Sequence, residues 1–219
     1  MKKLYRPEIG PACLNTFDHN IHVWSSMKNK KQVWEKLEEM QDGFCCYCES
    51  FAYKGNGHIE HFFHKGEDRN GYSPYKHLTF NWENLFGSCG LDGGDRCGHY
   101  KDKKGQSGPG DYNPCDIIKP DLDNPEDFFE YLPTGIISVK ESLSCNDKKR
   151  ANETLRVLNL NSLNDPRRNK IDIFKRELEY LLSLGADDDF LRCEVNVLKE
   201  NIVKSEYRTA IMFVLFGGV

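Results

Sequence analysis

The sequence predicts an α+β protein in which a small, irregular core lies between an N-terminal helix and a C-terminal helical region. Apolar residues recur at helical spacing near the start and again after residue 148. The stretch 44–104 is irregular and rich in glycine, and residues 127–139 indicate two strands around a Pro-Thr-Gly turn. With 219 residues, 38% of them hydrophobic, the chain can bury a real core.

Four segments follow from this pattern. They are an N-terminal arm and helix (1–43), the small core (44–104), an acidic loop and hairpin (105–147) and a helical region (148–219). The first helix is predicted over 29–41, with Val33, Trp34, Leu37 and Met40 on its apolar face and Gly43 at its stop.

The C-terminal region is predicted to contain helices over 150–160, 164–185 and 188–216. Asp165 and Pro166 are predicted as N-cap and first helical residue of the second of these, and Gly185 as its stop.

Charge and hydropathy exclude some classes of protein. The net charge is −4, which argues against unspecific binding to polyanions by the chain as a whole. Residues 105–147 alone hold 2 basic and 9 acidic side chains, a net charge of −7. No apolar signal segment follows the opening Met-Lys-Lys, and the apolar run 210–216 is too short to span a bilayer. The expected location is the bacterial cytoplasm, away from membranes.

Four of the nine cysteines have spacings typical of a metal site. Cys45 and Cys48 form a C-x-x-C pair, and Cys89 and Cys97 form a longer pair whose intervening glycines let the loop fold back. In a chain without an export signal, thiolate–metal chemistry is favoured over disulfides. The four predict a structural zinc site that holds the irregular core together; the alternative is that they pack as small hydrophobes. Packing is expected for the remaining cysteines, Cys13, Cys46, Cys115, Cys145 and Cys193.

Between the two cysteine pairs lies the stretch "HIEHFFHK", residues 58–65. Its Glu60 and His61 put an oxygen ligand beside an imidazole. On a regular strand these side chains point to opposite faces, so sharing one site requires a strand end, a twist or a bulge. His58 is in phase with Glu60 and could support it, and His64 is expected to be peripheral. Downstream come Asn84 in "NWENLFGSC", then His99 and Lys101 in "CGHYK", which indicates the first turn of a helix.

This order of motifs resembles the HNH nuclease superfamily. "CYCE", "IEHF", "NWENLFGSC" and "CGHYK" together are similar to the HNH effectors of Septu and retron-Septu anti-phage systems, the PtuB-like family. The flanks "KLYRPEIGPACL" and "PDLDNPEDFFEYLPTGII" resemble that family too. The resemblance implies a ββα-metal core over about residues 44–104, in which a hairpin and a following helix surround one divalent cation.

The resemblance also implies roles for individual residues. His61 would be the general base, and Glu60 a ligand of a catalytic Mg²⁺ or Mn²⁺. Asn84 would either orient the loop of the base or ligate the metal. The third motif position, often His or Asn, is Gly98 here, so His99, one residue later, becomes the candidate second metal ligand. Lys101 would bind a substrate phosphate.

The implied function is that of a metal-dependent endonuclease in phage defence. Its expected partner is a PtuA-like ABC-type ATPase, with a retron reverse transcriptase and its msDNA as a further candidate. DNA is the favoured substrate and tRNA the second candidate. The alternative is a non-catalytic zinc module that binds nucleic acid or protein. Glu60, His61 and Asn84 favour the enzyme, because a zinc scaffold does not need them.

Overall fold

Two small antiparallel sheets and a set of helices make up the part of the chain that the computed structural model describes, residues 1–67, 71–91 and 93–217. The fold is α+β, as the sequence predicts. In chain order the elements are α1 (Lys31–Gln41), β1 (Gly57–His61), β2 (Leu85–Cys89), α2 (Cys97–Lys101), α3 (Pro125–Phe128), β3 (Phe129–Tyr131), β4 (Ile137–Val139), α4 (Cys145–Val157), α5 (Asn164–Ser183), α6 (Asp188–Val203) and α7 (Arg208–Phe216).

Strands β1 and β2 form a hairpin with a long connection, and the short helix α2 packs against β2. Gly57 lies opposite Cys89 and His61 opposite Leu85, so Glu60 and His61 are at the end of the hairpin where the connection leaves. Every residue of β2 is buried. An isolated two-stranded hairpin is marginal in water, so this unit depends on its surroundings.

Helix α1 packs against β2 and is one of the elements that support the hairpin. The four predicted apolar residues are buried, and Gly43 follows the helix end in a left-handed conformation (φ 76°). The buried Gln41 side chain forms hydrogen bonds with the backbone of β2. Its Oε1 accepts from the Gly87 amide at 2.8 Å, and its Nε2 donates to the carbonyls of Gly87 (2.9 Å) and Phe44 (2.6 Å). The helix and the hairpin are thereby joined by one side chain.

Replacing Gln41 by Ala is therefore expected to lower the free energy of unfolding by about 2–4 kcal/mol, because it leaves buried backbone groups of Gly87 and Phe44 without these partners. Glu39→Ala, on the exposed face of the same helix, is the matched control and should stay within about 0.5 kcal/mol of wild type. Denaturant unfolding followed by circular dichroism measures both. Equal stability of the two variants would contradict this account of Gln41.

The C-terminal helices pack together, α5 against both α6 and α7, and α7 also against β3. The predicted single helix over 188–216 is wrong: the chain breaks between α6 and α7, where Tyr207 is left-handed (φ 60°). After the break, α7 packs against α5, α6 and β3. The predicted cap is also wrong, because α5 already begins at Asn164 and Asp165 lies inside it. Gly185 follows the helix end as predicted (φ 60°).

Two smaller predictions concern apolar stretches. The hairpin over 127–139 is present, but its first strand starts at Phe129, because Pro125–Phe128 form a helical turn. The apolar run 210–216 lies in α7, with Ala210 and Ile211 fully covered. In residues 1–67, 71–91 and 93–217, no helix combines the length and the apolar character needed to cross a bilayer.

Candidate functional site

The four predicted cysteines come together in one buried cluster. The sulfur atoms of Cys45, Cys48, Cys89 and Cys97 all lie within 4.8 Å of one another, and those of Cys48 and Cys89 are 3.6 Å apart. A tetrahedral zinc ion bound at about 2.3 Å separates its sulfur ligands by roughly 3.8 Å. The cluster therefore could hold a metal ion such as zinc with little rearrangement.

Three elements present these thiols. Cys45 and Cys48 lie in the turn after α1, Cys89 ends β2, and Cys97 begins α2. The unusually long second spacing closes because Gly90 and Gly93 adopt left-handed conformations (φ 86° and 106°), which glycine tolerates best. Cys97 is left-handed too (φ 54°). Cys46 is buried outside the cluster, as predicted. The prediction that Cys115, Cys145 and Cys193 pack is wrong, because all three are exposed.

Glu60 lies on the face of β1 that meets α2. Its side chain is buried; Oε1 is 2.9 Å from the Lys101 ammonium and Oε2 is 3.4 Å from His58 Nε2. Gly98, at the third motif position, faces the same carboxylate: a Cβ there would come within 2.2 Å of Glu60 Oε2 and 2.8 Å of His58 Nε2. The helix thus approaches Glu60 as closely as its backbone allows.

Lys101 is 3% exposed and fully engaged. Besides Glu60, its ammonium donates to Asp102 Oδ1 (2.6 Å) and to the His61 carbonyl oxygen (3.1 Å). Burial opposes the charged form, but the carboxylates of Glu60 and Asp102 outweigh this effect and raise the pKa of Lys101 above its usual value. Binding of a substrate phosphate by Lys101 stays a prediction, and it would require the ammonium to leave two carboxylates.

His61 points away from Glu60, as expected of adjacent strand residues. Its Nε2 lies 3.0 Å from the Thr79 carbonyl oxygen, and the Trp24 ring packs edge-on at a centroid distance of 4.7 Å. A carbonyl can only accept, so the neutral ring carries its proton on Nε2 and its lone pair on Nδ1. Burial and then the charge of Lys65 lower the pKa of His61 to about 3, which keeps the ring neutral.

Asn84 clamps the connection between the two strands. Its Oδ1 accepts from the Phe63 amide (2.7 Å), and its Nδ2 donates to the carbonyls of Phe63 (3.0 Å) and Leu78 (3.2 Å). The connection leaves His61 and returns past Thr79, the residue that holds the imidazole. Of the two roles left open for Asn84, orienting the loop of the base matches these contacts.

Asn84→Ala should accordingly lower the free energy of unfolding by about 2–4 kcal/mol, since it removes three hydrogen bonds and leaves the Phe63 amide unpaired. Asn81→Ala is the matched control: it removes one hydrogen bond, to the Glu83 amide, at an exposed position. It should cost about 1 kcal/mol. Urea unfolding of both variants tests the clamp, and a loss for Asn84→Ala no greater than for Asn81→Ala would count against it.

The other histidines occupy distinct positions. His58 Nδ1 lies 2.9 Å from the Gly90 carbonyl oxygen, and the His58 and His99 rings are in contact, with centroids 3.8 Å apart and planes tilted by 34°. His99 Nε2 is 3.2 Å from the Gly90 carbonyl oxygen and 3.3 Å from the Gly93 amide, so it faces the loop between Cys89 and Cys97. His64 Nδ1 is 2.9 Å from Asp102 Oδ2. The structure thus brings His58, rather than His99, directly to Glu60.

Two clefts adjoin the hairpin end. One, of about 660 Å³, is lined by Lys101, Asp102 and His64; the other, of about 350 Å³, is lined by Trp24, Lys65 and Thr79, which surround His61. Gly66, Glu67 and Lys104 line both. Glu60 and His61 do not line these clefts themselves, but their contact partners do: Lys101 lines the first, and Trp24 and Thr79 line the second.

Three residues of this region, Trp24, Thr79 and Asp102, were not predicted from the sequence. Asp102 could have been suspected as the acidic residue beside Lys101 in "GHYKDKK". Trp24 and Thr79 act through the ring edge and the backbone carbonyl, and neither has a sequence signal.

Comparison with protein-family models and with the sequences of curated proteins finds no match.

Proposed function

We propose that this protein is a metal-dependent endonuclease of the HNH type that hydrolyses phosphodiester bonds in nucleic acid. The observation that carries the proposal is the arrangement of Glu60 and His61 at the end of the β1–β2 hairpin. Glu60 faces the helix and His61 faces the long connection, and each is held by its own set of contacts. A protein that only binds structural zinc does not need Glu60 and His61 to be held on opposite faces of the hairpin.

The order of elements supports the same proposal. A hairpin followed by a short helix is what the resemblance implies, and β1, β2 and α2 follow that order around Glu60. The buried cysteine cluster lies at the opposite end of β2 from His61, and could fix the helix against the hairpin through Cys97.

Glu60 would hold the catalytic cation, Mg²⁺ or Mn²⁺, because carboxylate oxygen is a preferred ligand of both. A cation bound there would act as a Lewis acid for the phosphate and the leaving oxygen. Gly98 fits this assignment, because any side chain at this position would begin with a Cβ within 2.2 Å of Glu60 Oε2 and would block that oxygen.

His61 would accept a proton from the attacking water. Its Nε2–H bond to Thr79 leaves Nδ1 as the accepting nitrogen. However, His61 is only 2% exposed, and burial lowers its pKa to about 3, so the groups packed on the ring, Trp24 among them, would have to move before it could act as a base on water. The burial of His61 supports the proposal that a partner activates the protein. The proposed partner is the ABC-type ATPase of PtuA-like systems. A retron reverse transcriptase with its msDNA is a further proposed partner.

The substrate would be DNA, with tRNA as the second candidate. The second function, a non-catalytic zinc module, draws support from the same burial of His61. The two functions differ in whether Glu60 matters for anything beyond folding.

The test compares wild type with Glu60→Gln on plasmid DNA and on total tRNA, with Mn²⁺, Mg²⁺ or EDTA, and with and without the ATPase. We expect metal-dependent cleavage by wild type that is lost in Glu60→Gln at unchanged zinc content. If wild type and Glu60→Gln both bound nucleic acid and neither cleaved it in any of these mixtures, the zinc module would be favoured instead.

A further inference from the structure

Gly98 occupies the helix position from which a second metal ligand is expected, yet it has no side chain. Even a Cβ at this position would fall within 2.2 Å of Glu60 Oε2 and 2.8 Å of His58 Nε2. The space that a ligand from the helix would need is therefore already filled by His58 and Glu60, both from strand β1.

His58 and Glu60 are two residues apart on this strand, so their side chains share a face. Their nearest ligand atoms, Nε2 and Oε2, are 3.4 Å apart. A divalent cation binds nitrogen and oxygen ligands at roughly 2.1 Å, so two neighbouring ligand atoms lie roughly 3.0–3.5 Å apart. These two side chains form an ion pair when His58 is protonated, and when the ring is neutral their separation fits one cation between them.

The orientation of the His58 ring is fixed from behind. Its Nδ1 lies 2.9 Å from the carbonyl oxygen of Gly90, which can only accept a hydrogen bond. In the neutral ring the proton is therefore on Nδ1 and the lone pair on Nε2, which faces Glu60. A backbone carbonyl behind one nitrogen is the usual support for a histidine that binds metal through the other.

We propose that His58 is the second protein ligand of the divalent cation at Glu60, in place of a residue from helix α2. This assignment rests on the proposed nuclease function. His99 would then be a positioning residue, since its ring contacts that of His58 at a centroid distance of 3.8 Å and its Nε2 faces the loop between Cys89 and Cys97.

The donor set has a consequence for the choice of metal. One imidazole and one carboxylate suit Mn²⁺ or another first-row ion better than Mg²⁺, which prefers oxygen ligands. Lys101 engages the other carboxylate oxygen, Oε1, so Oε2 is the oxygen offered to the cation. Two protein ligands leave the remaining coordination positions to water and phosphate oxygens.

The experiment measures Mn²⁺ binding to the zinc-loaded protein by titration calorimetry, with zinc content determined for every variant. We expect His58→Ala to weaken Mn²⁺ binding at least about tenfold, and Glu60→Gln to weaken it as strongly. His58→Phe keeps a ring to stack on His99 but has no nitrogen, and should behave like His58→Ala. The matched control is His77→Ala, at an exposed position of the same core, which should bind Mn²⁺ as wild type does.

Wild-type affinity in a zinc-loaded His58→Phe variant, together with weak binding by Glu60→Gln, would overturn the ligand assignment and leave the proposed function standing. Mn²⁺ binding by wild type that does not depend on Glu60 would overturn the assignment as well. If wild type then also fails to cleave nucleic acid, the proposed function falls with it.

Discussion

Cys48→Ala is expected to abolish zinc binding and to unfold the region between residues 44 and 104. Where the structure describes this region, its regular elements are short: two five-residue strands, one five-residue helix and two three-residue 3₁₀ turns, joined by connections that contain glycine. Such a hairpin is marginal by itself, and a structural zinc site contributes about 10–16 kcal/mol of apparent binding free energy to folding. Losing one of four thiolates therefore removes more stability than a domain of this size usually has.

Cys46→Ala is the matched control for this variant, because Cys46 is buried two residues away but lies outside the cluster. It should retain full zinc content and lose only about 1 kcal/mol, the usual cost of a small buried truncation. Metal analysis and thermal unfolding of the two variants provide the comparison. If Cys48→Ala kept its zinc and melted together with Cys46→Ala, the cluster would not be a metal site.

The second large effect is expected for His61→Ala, which should reduce the cleavage rate by about 10²–10⁴, the usual contribution of a positioned base. The measurement is the initial rate on end-labelled DNA or tRNA with Mn²⁺ and the ATPase present. Some loss of stability is also expected, because the Thr79 carbonyl loses its partner and a space opens beside Trp24.

His61→Gln separates these two effects. Its amide nitrogen can occupy the position of Nε2 and donate to the Thr79 carbonyl, but the side chain has no basic nitrogen. We expect it to fold close to wild type and to cleave as poorly as His61→Ala. Cleavage by His61→Gln at the wild-type rate would exclude His61 as the base.

Local patterns in the sequence predicted a good part of the structure. The buried face of α1 follows from helical periodicity, and the cysteine cluster follows from spacing plus the flexibility of glycine at residues 90 and 93. The helix is indicated by the spacing of apolar residues within a few turns, and the metal site is indicated by cysteine, a residue type with few other roles. The hairpin over 127–139 was predictable for the same reason.

The features that could not be predicted from the sequence depend on contacts between residues far apart in the chain. Lys101 was predicted only as a residue that binds a substrate phosphate. Its ion pair with Glu60 could not be predicted, because Glu60 is 41 positions earlier and their contact depends on how α2 packs on the hairpin. The break at Tyr207 likewise depends on the tertiary surroundings of α7. His58 was in phase with Glu60, yet its contact with Gly90 could not be foreseen, because it depends on the fold of the loop between Cys89 and Cys97.

In the proposed reaction, His61 would take a proton from a water molecule, and the resulting hydroxide would attack a phosphate held through the cation at Glu60 and displace the 3′-oxygen. The chemical ends of the cut strand test it most directly. Analysis of products from end-labelled DNA and tRNA, cut with Mn²⁺ and the ATPase present, should find 5′-phosphate and 3′-hydroxyl ends on either substrate. Ends carrying a 5′-hydroxyl and a 2′,3′-cyclic phosphate, which arise from attack by the RNA's own 2′-hydroxyl, would contradict it.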